Sequence, residues 1–320
     1  MKKILGGLVA ISAVALALTG CAGSGGGADD GLITVGFAQT GSESGWRSAN
    51  TESMKEAFSE ENGFKLVFNA ADNKQEAQIA AVRSFINQGV DAIVIAPITV
   101  DGWDDVLKEA KDAGIPVVLE DRTVSASDDL YESWVGLDFE LEGQRAGKWV
   151  ADNFGAEATN LVVLEGTTGS SAALDRATGF ADAISGTSIN VLDSQTGEFT
   201  RDGGKKVMEG FLQKYGSDID LLFAHNDDMG LGALDAIKAA GLVPGEDIKI
   251  VTIDAVHDGM QALADGEFNY IVECNPLLGE KVAAVVKAVL NGESVDKATI
   301  VEDGEFTQED AIELLPTRPY

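Results

Sequence analysis

Four short stretches carry side chains able to grip a polar, neutral molecule. Residues 39–47 read Gln-Thr-Gly-Ser-Glu-Ser-Gly-Trp-Arg, residues 120–122 Glu-Asp-Arg and residues 225–228 His-Asn-Asp-Asp, while Asp254 closes an apolar run. A carboxylate accepts from hydroxyls and a guanidinium donates to ring or hydroxyl oxygens, so Asp121 and Arg122 form a natural clamp on a polyol. Asn226 both donates and accepts. Asp227 and Asp228 have a second reading, as caps of a following helix. Trp46 sits in a Gly/Ser-rich loop beside Arg47 and offers a flat apolar face to the C–H side of a ring, the alternative being a packed helix-start residue. Trp103, Trp134 and Trp149 have no such setting and are read as structural. Arg176 falls on one helical stripe with Ala172, Ala173 and Phe180. An arginine there needs a partner, which either a ligand or an internal carboxylate would supply.

Other chemistries lack their residues. The chain has no Gly-x-Ser-x-Gly, His-Glu-x-x-His or Gly-Lys-Ser/Thr motif, no Asp-x-Asp-x-Asp-Gly loop, and two histidines in all. No cofactor and no metal are expected. Asp121, Asp254 and Glu273 provide carboxylates enough for a secreted glycosidase, which needs two at a set separation. The Asp-Arg pairing, however, keeps a carboxylate ionised, whereas a general acid needs a raised pKa. With 53 Asp and Glu against 23 Lys and Arg the net charge is −30, which argues against nucleic acid and against adsorption to anionic lipid. That charge and the leader described next also speak against a DNA-binding regulator.

The chain opens with Lys2 and Lys3 and an apolar stretch, residues 4–18, too short for a stable membrane span. It reads as a secretory signal over residues 1–20. Leu-Thr-Gly-Cys at 18–21 resembles a lipobox, with Cys21 lipidated, and the Gly/Ser/Ala-rich residues 21–31 form a tether. The expected location is the outer face of the cell membrane, at the cell surface or in the periplasm, with membrane attachment through the lipid alone. Cys274 is then the one remaining cysteine, so no intrachain disulfide is available and a core must provide stability.

These residues have to be positioned by regular elements. Apolar runs at 33–38, 65–69, 92–96, 116–119, 161–164, 221–224, 248–253 and 270–272 are rich in Val, Ile and Leu without strict alternation, as strands buried on both faces require. Between them lie helical stripes, such as Ile79, Val82, Phe85 and Ile86, and Val282, Val285, Val286, Val289 and Leu290. Gly89, Gly114, Gly241 and Gly292 close helices. The alternation predicts parallel, doubly wound α/β domains, and a mature chain of about 290 residues has room for two. Ligands of such sheets gather outside the carboxyl ends of the strands, where the polar stretches above fall.

In order and spacing these stretches resemble the type I periplasmic sugar-binding proteins, the ribose-binding-like group, and within it the galactofuranose-binding branch. The matching segments are 41–47, 78–93, 95–97, 107–112, 121–122, 174–180, 197–201, 224–229 and 253–254, most of the mature chain. Trp46-Arg47 and the 225–228 run point to that branch. Ala96 departs from the ribose-binding pattern, which has asparagine before this proline. The resemblance implies two lobes closing on a monosaccharide, joined by three crossings near Asp138, Glu273 and Glu302. One lobe would hold residues 32–138 and 274–302, the other 139–273 and 303–320. It raises Glu43 and Arg47 to ligand-binding positions, makes Phe199 a second aromatic against the sugar, and has Glu273 reach the ligand from a hinge strand. It further implies a monomer that delivers its sugar to the permease subunits of an ABC importer; a receptor for a signalling system has the same fold.

Overall fold

The computed structural model describes residues 31–320; the signal segment, Cys21 and the tether up to residue 30 lie outside the described residues. The chain begins as expected for a wound α/β unit: strand β1 (Ile33–Gln39), helix α1 (Gly45–Ala57), β2 (Phe64–Ala70), α2 (Gln75–Gln88), β3 (Ala92–Ile95), α3 (Asp104–Asp112), β4 (Val117–Asp121) and β5 (Ser133–Gly136). A second unit follows: α4 (Phe139–Phe154), β6 (Thr159–Glu165), α5 (Ser171–Ile184), β7 (Ile189–Thr196), α6 (Arg201–Tyr215), β8 (Leu221–Ala224), α7 (Asp227–Ala239), β9 (Lys249–Asp254), α8 (His257–Ala264) and β10 (Tyr270–Glu273). The chain then returns with α9 (Gly279–Leu290) and β11 (Ala298–Ile300), and ends with β12 (Glu305–Phe306) and α10 (Gln308–Leu314).

The first sheet has the order β11-β5-β4-β3-β1-β2 and is parallel throughout; the second, β12-β10-β9-β8-β6-β7, is parallel except for β12. Each is a doubly wound lobe with helices on both faces. The central strands β3, β4 and β8 are buried at every position, which explains their unbroken apolar runs. Three connections pass between the sheets: residues 137–138, 274–278 and 301–304. Gly89, Gly114, Gly241 and Gly292 all stand at positive φ where helices stop. Among the described residues, no helix is long and apolar enough to cross a membrane.

The facing edges of the lobes are fastened together. The Gly45 N–H donates to Asp228 Oδ2 (2.7 Å), Thr123 N–H to Ser171 Oγ (3.1 Å) and Val100 N–H to the Gly169 carbonyl (2.9 Å). The structure is therefore the closed arrangement, with a cavity shut between the lobes.

Candidate functional site: a charged cavity between the lobes

The cavity has an empty volume of about 290 Å³. Glu43, Ser44, Trp46, Arg47, Asp121, Arg122, Phe139, Ala172, Arg176, Phe199, Asn226, Asp254 and Cys274 line it. Nine of the ten residues singled out from the sequence are thus brought together, and both lobes contribute.

The first lobe presents a cluster built around Arg47. Ser44 caps α1 by accepting from Arg47 N–H (3.1 Å), and this fixes where the guanidinium begins. Its Nε donates to Glu43 (3.1 Å), Nη1 to Asn50 (3.1 Å) and Nη2 to Asp121 (2.5 Å). Arg47 is therefore a scaffold for two carboxylates. Burial alone would raise the Glu43 pKa, but Arg47 and Arg122 hold it below the usual carboxylate range. Arg122 is more loosely tied: Nη1 stands 3.5 Å from the Ile98 carbonyl, and its ion-pair distances to Asp121 and Glu43 are 3.6 and 3.8 Å. Its buried Nε has no hydrogen-bond acceptor, and burial lowers its pKa.

The second lobe answers with Arg176 and Asp254. Arg176 Nε donates to Glu142 (2.7 Å) and Nη1 to the His225 carbonyl (2.6 Å), while Nη2 lies 3.8 Å from Asp254. The arginine on an apolar stripe thus has an internal carboxylate, Glu142, which sequence reasoning did not find, and still faces the cavity. Asp254 Oδ2 is buried without a partner, and burial pushes this carboxyl well above its ordinary value. A buried polar atom left unpaired marks a place for a ligand or water. Burial and Arg176 together push His225 down to about 3, so it stays neutral.

Aromatic surfaces complete the chamber. Trp46 is fixed by an Nε1–H bond to the Cys274 carbonyl (2.6 Å) and carries the Arg47 guanidinium 4.7 Å from its ring. Phe199 lies 5.1 Å from the Arg122 guanidinium and 5.9 Å from that of Arg176. Asp121, Phe199 and Asp254 take φ of +62°, +61° and +132°, each rare for a residue with a side chain. Three such residues around one cavity is the distribution found where backbone strain aims side chains at a ligand.

Two of the residues singled out are committed to hydrogen bonds within the fold. Asn226 lines the cavity, but its Oδ1 caps α7 by accepting from Met229 N–H (3.0 Å) and its Nδ2 donates to the Phe199 carbonyl (3.1 Å). The helix cap is Asn226 itself; Asp227 accepts from Thr252 Oγ1 and Val256 N–H, and Asp228 reaches Gly45. Glu273 does not line the cavity. It accepts from Gly304 N–H (2.8 Å), Tyr320 OH (2.7 Å) and Arg318 (2.7 Å), securing the third crossing to the C-terminus. Side chains alternate along a strand, so the next residue, Cys274, faces the cavity instead. Ser44, Phe139, Ala172 and Cys274 were not singled out as cavity residues from the sequence. Phe139 and Cys274 flank crossings between lobes, a position without a local pattern of its own.

Two wound lobes, three crossings and a closed polar cavity between strand ends define a two-lobed receptor for a small polar solute. Residues 35–294 match the periplasmic binding protein domain family, and the chain belongs to it. It is 46% identical to the galactofuranose-binding protein YtfQ of Escherichia coli over 88% of this chain and 90% of that one. A crystal structure from Mycobacterium smegmatis in complex with β-D-fucofuranose superposes with a TM-score of 0.86 at 55% identity, covering 89% of this chain and 95% of that one. The binding component of an arabinose ABC transporter from Shewanella, bound to α- and β-L-arabinofuranose, superposes equally well at 46% identity, covering 89% and 95%. The Escherichia coli and Shewanella relatives are binding proteins.

Proposed function

We propose that this protein captures a monosaccharide in its furanose form, galactofuranose or a close relative, and delivers it to an ABC importer without transforming it. The observation that carries the reading is the closed cavity itself, where Arg122 Nε and Asp254 Oδ2 are buried from opposite lobes without hydrogen-bond partners. A polyol bound there pairs both at once, so ligand binding holds the lobes together. Glu43, Asp121 and Asp254 serve as acceptors, Arg47, Arg122 and Arg176 as donors, and Trp46 and Phe199 cover the ring's C–H faces. Asn226 offers the cavity its second Nδ2 hydrogen. The furanose assignment draws on the three relatives above, whose stated ligands are all five-membered rings.

Titration calorimetry with galactose, arabinose and ribose tests this, with NMR showing which anomeric signals are lost. Micromolar or tighter binding to one sugar, loss of furanose signals and no new product are expected. A product would make the protein an enzyme, and silence across the panel would end the sugar reading. The same proposal holds the mature chain at the membrane through lipid on Cys21, as a monomer. Mass spectrometry of the membrane-bound protein should find diacylglycerol on Cys21, and Cys21→Ser should release the chain to the medium.

A further inference from the structure

Gly166 follows β6 and does not line the cavity, yet the Phe199 ring rests directly on it. A Cβ placed on Gly166 would lie 1.9 Å from Phe199 Cζ, 2.2 Å from Cε1 and 2.3 Å from Cε2. Carbon atoms in contact stand about 3.5–4.0 Å apart, so even a methyl group would have to move the ring by roughly 1.5–2 Å. The segment carrying the ring has little freedom to retreat. Thr196 Oγ1 donates to the Gly166 carbonyl (2.7 Å), Gly197 N–H to the Glu165 carbonyl (2.9 Å) and Glu198 N–H to Thr196 Oγ1 (3.1 Å). The Phe199 carbonyl is held by Asn226, and both Glu198 and Phe199 already sit at positive φ. Gly166 is pinned as well, since its N–H donates to His225 Nδ1 (3.4 Å). What remains open to the ring is the cavity, where Arg122 and Arg176 face it.

We infer that Gly166 is a specificity-determining residue. By having no side chain it lets Phe199 lie back against the backbone, and so sets a cavity deep enough for a six-carbon furanose. The inference rests on the sugar-binding reading. Phe199 lines the cavity, and a ring advanced into it removes space that a two-carbon exocyclic tail needs and a one-carbon tail does not. In apolar pockets a single methylene of misfit changes affinity by about 10–200-fold.

The test is calorimetry on the full-length protein, Gly166→Ala and Gly166→Ala/Phe199→Leu, each titrated with galactose and with arabinose solutions, which supply their furanose forms at equilibrium. Gly166→Ala should lose galactose binding by about tenfold or more while arabinose changes less than about threefold. The smaller leucine in the double variant should restore much of the galactose affinity, whereas a folding defect in Gly166→Ala would weaken both sugars alike. Equal losses for both sugars without rescue, or no change in either, would overturn the inference while wild-type binding upholds the sugar reading. A wild type that binds neither sugar removes both.

Discussion

Asp121 sits where three charges meet, and its removal tests the site most directly. Its carboxylate takes Arg47 at 2.5 Å and balances Arg122 at 3.6 Å. Without it Arg47 and Arg122 would share Glu43 alone, and the cavity would lose an acceptor. Hydrogen bonds to charged groups contribute about 1.5–3 kcal/mol, so Asp121→Ala should weaken sugar binding by at least about tenfold. Calorimetry reads this, with circular dichroism confirming the fold; an unchanged affinity would take Asp121 out of the site. A second consequence concerns pH. Burial pushes Asp227 up to about 7, burial and Asp121 push Glu120 up to about 8, and burial and Glu142 push Asp303 up to about 9. Unfolded carboxyls release their protons near pH 4, so between about pH 4 and 9 the folded state holds protons that the unfolded state has lost. Stability should fall as pH rises through that window, and the melting temperature should be higher at pH 5.5 than at 8.5. Asp303→Asn should flatten part of the slope; a melting temperature that rises with pH would refute the assignment. The acidic residues behind the cavity wall were not legible in the sequence. Glu142 lies 34 positions before Arg176 and on another helix, so only the packing of α4 on α5 makes them partners.

At the scale of elements, that packing is unusually close. A Cβ on Gly143 would fall 2.2 Å from the Arg176 carbonyl oxygen, and one on Gly179 would fall 2.0 Å from that of Glu140. Backbone meets backbone here, and no rotamer can relieve the clash. Gly179→Ala should therefore destabilise the protein by about 1–3 kcal/mol through overpacking. It should also weaken sugar binding, because the Glu142–Arg176 pair lies across the same contact. Urea denaturation and calorimetry on one preparation check both, and wild-type values in both would mean the helices slide apart freely. The central strands were the legible ones. The runs that became β3, β4, β8 and β9 announced themselves because both faces are covered. The edge strand β7 did not, since Ile189–Thr196 has no fully buried position and reads as polar. Ser133–Gly136 hid β5 behind a serine and a glycine, and β11 and β12 are three and two residues long. All four are fixed by pairing with a neighbour, which is tertiary information.

Across the whole molecule, closure is a balance between lobes that sugar shifts, and side chains outside the cavity, Asp228 among them, help hold the closed form. Asp228, in the first turn of α7 on the second lobe, accepts from Gly45 N–H at the start of α1 on the first, at 2.7 Å. A carboxylate at a helix N-terminus is also favoured by the helix dipole. Asp228 does not line the cavity. Its contribution therefore belongs to closure and not to sugar recognition, so Asp228→Ala should reduce the affinity for every sugar that binds by one common factor. A contact worth about 1–2 kcal/mol makes that factor about 5–30. Because the latch forms only when the lobes meet, the loss should fall on the dissociation rate, with association little changed. Stopped-flow fluorescence of Trp46, which lines the cavity, follows both rates. A change in the ranking of sugars would instead place Asp228 against the ligand, and a slower association with unchanged dissociation would mean that the latch forms before the sugar is enclosed.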